Sequence, residues 1–212
     1  MKLYKFALPS LLMLSTASVM LGNQIGVTVG GPFGTDINNS SWMLGYSFTA
    51  NSAIQVVGLG LYDDNGTNGL NSAHDVGLWD SQGNLIASAT VPAGLGGTLI
   101  SNFMFASIAP LQLTAGQTYT VGAEYTVAQG DNWAADPTNF GVAPQITYIS
   151  REYDTYSGTL IEPTLVGSNS IGYFGGNIEF GSAVPEPSSI APLALALLAL
   201  GYAWRRRAAA IA

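Results

Sequence analysis

The stretch AGQTYTVGAEYTV, residues 115–127, sets Tyr119, Val121, Ala123 and Tyr125 against Thr118, Thr120 and Glu124. A period of two sends successive side chains to opposite faces, so the stretch reads as a strand with one apolar side, entered from a turn at Gly116. The same pattern extends outward from it. Tyr46 and Phe48 alternate with Ser47 and Thr49. In IQVVGLGLYD, residues 54–63, Ile54 and Val56 change phase to Leu59 and Leu61 around Val57-Gly58, which predicts a β-bulge. HDVGLWD (74–80) and NLIASATV (84–91) flank Ser81-Gln82-Gly83 and predict a hairpin. Phe103 and Phe105 share one face of SNFMFASIA (101–109), and QITYISREY (145–153) and GGNIEF (175–180) bring the total to about eight strands. No segment from Gly26 to Ala183 carries a helical period. Eight one-sided strands bury their apolar faces by stacking two sheets. The expected fold is therefore all-β, a two-sheet antiparallel sandwich of jelly-roll type. An immunoglobulin-like sandwich is the alternative, which strand count does not exclude.

Charge narrows the partners. Arg151 is the only basic residue between Asn23 and Ala183, against twelve acids in the same span. Such a surface repels phosphate backbones and excludes nucleic acid as a partner, while it suits cations, neutral glycans or plain solubility. The chain has no Cys, so neither disulfides nor thiolate metal sites are available and the compartment has to be read from the two ends.

At the N-terminus, MKLYKFALPSLLMLSTASVMLG places two lysines before an apolar run and then small residues. That is the order of a secretory signal peptide, residues 1–22, with the Sec translocon and signal peptidase as implied partners. The remainder divides into a sandwich domain, 23–183, and a tail, 184–212. In the tail, Ile190 to Trp204 is a fifteen-residue uncharged run rich in Leu and Ala. As a helix it spans roughly 22 Å, short of a hydrocarbon core of about 30 Å. Arg205, Arg206 and Arg207, snorkelling at one end, shorten that gap and mark the cytoplasmic side of a transmembrane helix 190–204. Both ends imply export.

Val184-Pro185-Glu186-Pro187-Ser188, an apolar helix and a basic cluster close to the terminus together resemble the PEP-CTERM sorting signal. The resemblance implies a Gram-negative exporter whose exosortase recognises Pro185, Glu186 and Pro187 and processes the tail. It further implies a cell-envelope, cell-surface or matrix destination, often beside an exopolysaccharide system. A second likeness covers Tyr46 to Tyr125. Val76, Trp79, Gly83, Leu85, Ile86, Ala87 and Val91, with Leu113, Ala115, Gly116 and Tyr119, resemble an exported sandwich domain that recurs in PEP-CTERM proteins. It implies a fold and no established activity.

Chemistry is sparse in the middle of the chain. His74 is the sole histidine and reads as a strand-entry residue, and no G-x-S-x-G elbow occurs. In LYDDNGTNGLNSAHDVGLWD, Asp63, Asp64, Asn68 and Asp75 crowd oxygen ligands into a Gly-containing loop, a composition that suits calcium. Gly66 at the third ligand position rules out an EF-hand, and Asn-Gly turns explain the same composition without a metal. Glu124, Glu152, Asp154 and Glu179 read as solvated strand faces. Trp79 is expected in the core, and Trp133, in AQGDNWAADPTNFG, as an exposed ring able to stack on a sugar. The sequence thus favours an exported, non-enzymatic structural or adhesive protein, with a calcium-assisted glycan-binding module as the alternative.

Overall fold

The structure, a computed structural model, describes residues 24–31, 40–64, 66, 68–167 and 172–181. The expected signal peptide and the whole sorting tail, including the helix 190–204, lie outside the described residues. Among the described residues no helix is long and apolar enough to cross a membrane.

The strands are β1 (Gln24–Ile25), β2 (Val27–Gly30), β3 (Trp42–Ala50), β4 (Ile54–Tyr62), β5 (His74–Asp80), β6 (Leu85–Val91), β7 (Thr98–Ile100) and β8 (Phe103–Leu113). They continue as β9 (Thr118–Tyr125), β10 (Ala134–Ala135), β11 (Asn139–Val142), β12 (Ile146–Thr155), β13 (Leu165–Val166), β14 (Tyr173–Phe174) and β15 (Gly176–Phe180). The five-stranded sheet runs β1-β15-β4-β8-β7 and the six-stranded sheet β13-β12-β3-β9-β5-β6, while β10-β14 and β11-β2 form two-stranded ribbons. Every pairing is antiparallel.

The pairing decides between the two expected sandwiches. Taken in chain order, β1, β3, β4, β5, β6, β8, β9 and β15 pair from the outside inward: β1 with β15, β3 with β9, β4 with β8, and β5 with β6. A long hairpin rolled onto itself gives that nesting, and the pairs β15·β4 and β9·β5 close the roll. This is jelly-roll order, and an immunoglobulin sandwich has no such nested set. β12 is an addition that lengthens the second sheet beside β3.

Local predictions hold at residue level. The β4–β8 register slips between Val56 and Gly58, at the expected bulge. Residues 81–84 join β5 to β6, with Gly83 at φ +80°. Asp80 locks that turn: its carboxylate accepts the Gln82 and Asn84 amides at 2.9 and 3.0 Å and the Asn84 side-chain amide. These bonds, the Asn84 side chain first, hold the Asp80 carboxyl below its ordinary value. A folded-state value below the unfolded one stabilises above the ordinary carboxylate range and is lost as pH falls. The stability difference between wild type and Asp80→Ala should therefore be present near about pH 6 and shrink below about pH 4, as read by denaturation at each pH.

The core fills the space between the sheets with Leu44, Tyr46, Phe48, Val76, Leu78 and Val121 from one side. Val56, Leu59, Leu61, Phe105, Ile178 and Phe180 meet them from the other. Tyr46 crosses the gap, its hydroxyl donating to Asn177 Oδ1 at 2.9 Å. Asn177 in turn holds the start of β2, accepting from Val27 N and donating to Val27 O. Burial pushes the Tyr46 hydroxyl well above its ordinary value.

Trp79 is buried as expected, at 3% exposure, but not in the place expected. Val76 and Leu78 face the inter-sheet core, so the alternation of β5 turns Trp79 and Gly77 to the outer face. The indole lies across Gly77, where a Cβ would sit 2.4 Å from the ring, and reaches Gly122. Pro163 caps the same spot, 2.9 Å from a would-be Gly122 Cβ. Glycine at both positions makes the slot, and Pro163, in the connection 156–164, covers it.

Candidate functional site

The polar residues gather at one end of the roll, where the β4–β5 connection meets the segment after β9. β5 begins at His74, and its alternation points His74 inward and Asp75 outward; His74 is fully buried and Asp75 exposed. His74 Nδ1 lies 2.8 Å from the Glu124 carbonyl oxygen, which only accepts, so Nδ1 carries a proton. Nε2 lies 2.9 Å from Asp131 Oδ2. That carboxylate also accepts the Asn71 and Ser72 amides at 2.7 and 3.0 Å. Both ring nitrogens are thus committed to oxygen atoms of the protein, the Glu124 carbonyl on one side and the Asp131 carboxylate on the other.

Neighbours extend this clasp. Glu124 Oε1 accepts the Gln129 side-chain amide at 2.7 Å and the Asp75 amide at 3.2 Å. Gln129 Oε1 turns back to Thr126 N at 2.6 Å, and its amide also reaches the Ala73 carbonyl. Asn71 donates to the Gly130 carbonyl and Ser72 to that of Gln129. Tyr125 packs on His74 at 5.1 Å between ring centroids and on Trp133 at 5.8 Å, edge to face. Burial above all, then the Asp131 and Asp64 charges, pushes the Tyr125 hydroxyl well above its ordinary value.

A general base needs a ring nitrogen that meets the proton it removes. His74 has both nitrogens bound within the protein and no solvent exposure, so its geometry is that of a structural tie. Sequence reasoning missed this role. The signals present were the Thr126-x-x-Gln129 spacing, which marks a capped turn, and the acid-rich loops on either side of a lone histidine.

The expected calcium ligands are not drawn together. Asp63 is buried, its Oδ1 accepting the Gly66 amide at 3.0 Å. Asp64 is exposed and accepts from Asn132 at 2.8 Å, and Asn68 is exposed. Asp75 points toward β6, where it accepts the Thr90 hydroxyl at 2.6 Å. Among the described residues no group of three or more His, Cys, Asp or Glu is placed to hold a metal ion. Melting curves in EDTA and in millimolar calcium should coincide; a calcium-dependent rise of several degrees would contradict this geometry.

Trp133 corrects the expectation of an exposed, sugar-stacking ring. It is 6% exposed and wedged against Tyr125, because Asp131 folds its loop back onto the roll. The acids expected on solvated faces need the same correction. Glu124, Glu152 and Glu179 are buried, and Glu152 accepts from Ser47 and Ser150 at 2.8 and 2.6 Å. Pro185, Glu186, Pro187 and Arg205, Arg206, Arg207 lie outside the described residues.

No curated protein and no solved structure matches the chain. Residues 183–207 match the PEP-CTERM protein-sorting motif, the signature of an exported protein that exosortase processes at the membrane in Gram-negative bacteria. Residues 30–160, more than half of the chain and the whole of the His74 clasp, match a second model. The chain belongs to the family described as Domain of unknown function (DUF4082), here joined to a PEP-CTERM sorting motif.

Proposed function

We propose that this is a non-enzymatic structural or adhesive protein of the cell envelope or extracellular matrix. Signal peptidase and exosortase process its two ends, and what remains is a rigid, acidic jelly roll on display. The observation that carries this reading is how the reactive groups are spent. The only histidine and the buried Asp131 and Glu124 bond to the protein's own backbone and side chains and hold segments 49–60 residues apart in sequence. Side chains committed in this way make a stiff body with acids on its surface, which suits display among hydrated polysaccharides. With Trp133 packed inside, the glycan-stacking reading loses its ring.

The test is fractionation of an exosortase-bearing host expressing wild type and Glu186→Ala. Wild type is expected at the cell surface and in the matrix, and Glu186→Ala is expected to be exported but held in the membrane with its tail. Wild type recovered as a soluble periplasmic protein would contradict the display role. Turnover of polysaccharide by the purified domain would contradict the non-enzymatic one.

A further inference from the structure

We propose that the Asp136–Pro137 peptide bond is a self-cleavage site, at which the Asp136 carboxyl attacks its own backbone carbonyl in a single turnover that uses only the chain and water. The proposal stands apart from the display role.

Asp136 is the one aspartate of the chain that precedes a proline. Its backbone is held at φ +43°, in the left-handed region that few residues other than glycine adopt. Ser101 and Asn102, the other such residues among those described, form the two-residue turn between β7 and β8, where a tight hairpin calls for positive φ. Asp136 sits in no hairpin. The proline adds to the strain, because its Cδ presses the preceding residue toward extended backbone. Both flanks keep the chain from relaxing. Ala134 and Ala135 are buried and paired with Phe174 and Tyr173, and the Asp136 amide donates to the Gly172 carbonyl at 2.9 Å. Pro137 is itself buried, just ahead of β11.

The side chain is free to react. Asp136 is exposed, and its carboxylate accepts no hydrogen bond from the described residues. Asp63, Asp64, Asp75, Asp80, Asp131 and Asp154 each accept at least one. In the reaction a carboxyl oxygen bonds to the Asp136 carbonyl carbon, the bond from that carbon to the Pro137 nitrogen breaks, and the carboxyl proton passes to the nitrogen. Water opens the resulting cyclic anhydride and leaves Asp136 as a new C-terminus. Proline suits the step, since its tertiary amide departs as a basic secondary amine. Breaking the bond also removes the clash with the ring, so the strain held at Asp136 favours cleavage.

The clip leaves the roll assembled. Strands β1 to β10 stay with one fragment and β11 to β15 with the other, and β2 with β11, β3 with β12, β4 with β15 and β10 with β14 pair across the break. The second fragment carries the chain onward to the sorting motif. Most of the jelly roll is then joined to its tail-bearing part by strand pairing and core packing alone, a joint that unfolding of either part undoes.

The test keeps the full chain, purified in detergent with protease inhibitors, beside a peptide of residues 133–140 in one mildly acidic buffer. Denaturing electrophoresis and mass spectrometry are expected to show fragments that end at Asp136 and begin at Pro137, while native electrophoresis shows one particle. The fragments should form several-fold faster than the peptide is cut, because the peptide has the bond without the fold. Asp136→Gly takes positive φ without strain and has no carboxyl, so it should stay intact with an unchanged or higher melting temperature. A chain cut no faster than the peptide would overturn the proposal, as would cleavage of Asp136→Gly at the same bond.

Discussion

Replacing His74 by Phe should cost the domain about 3–5 kcal/mol, because the buried Asp131 carboxylate and the buried Glu124 carbonyl each lose a hydrogen-bond partner. The ring volume is kept, so packing on Tyr125 survives and the loss isolates the polar contacts. Asp131, with no solvent exposure, retains the Asn71 and Ser72 amides but loses the ring nitrogen, and the Glu124 carbonyl loses its donor. For a domain of this size the melting temperature should fall by on the order of 10 °C. In a double-mutant cycle with Asp131→Asn the two losses should not add, since both act on one contact. A loss below about 1 kcal/mol, the worth of one ordinary hydrogen bond, would show that His74 is not the two-sided buried tie described here.

The second large effect is expected at Trp79. Truncation to Ala should cost about 3–5 kcal/mol, nearer the lower figure because Pro163 can settle into part of the space. Position separates this outcome from an ordinary core defect. Trp79 supports Pro163 on the outer face, so its loss should free residues 156–164 and speed proteolysis within them. Equal destabilisation with an unchanged cleavage rate in that segment would place the ring between the sheets instead.

Where contacts are local, the sequence could be read closely. The phase change in Ile54–Leu61 became a slipped register at Val56/Gly58, and Ser81-Gln82-Gly83 became a hairpin turn, because bulges and turns are set by a few adjacent residues. Burial of Trp79 was legible too, but not its face. Alternation says which residues share a side, and here the outer side is also covered, by Pro163 from far along the chain. The clasp was hidden for the same reason. His74 meets Asp131 across 57 residues, a separation that no local pattern spans. Trp133 looked exposed because its surroundings are polar, yet those polar groups fold the loop inward. Jelly-roll order itself followed only from the nested pairing of β1 with β15, which strand patterns do not encode.

The sorting tail of this acidic jelly roll is expected to be removed at the membrane. Intact-mass measurement on the protein recovered from the envelope of an exosortase-bearing host tests it most directly. The expected species begins near Asn23 and lacks the residues from the apolar run through Arg205–Arg207. A mass that still extends to Ala212 in that host would contradict it.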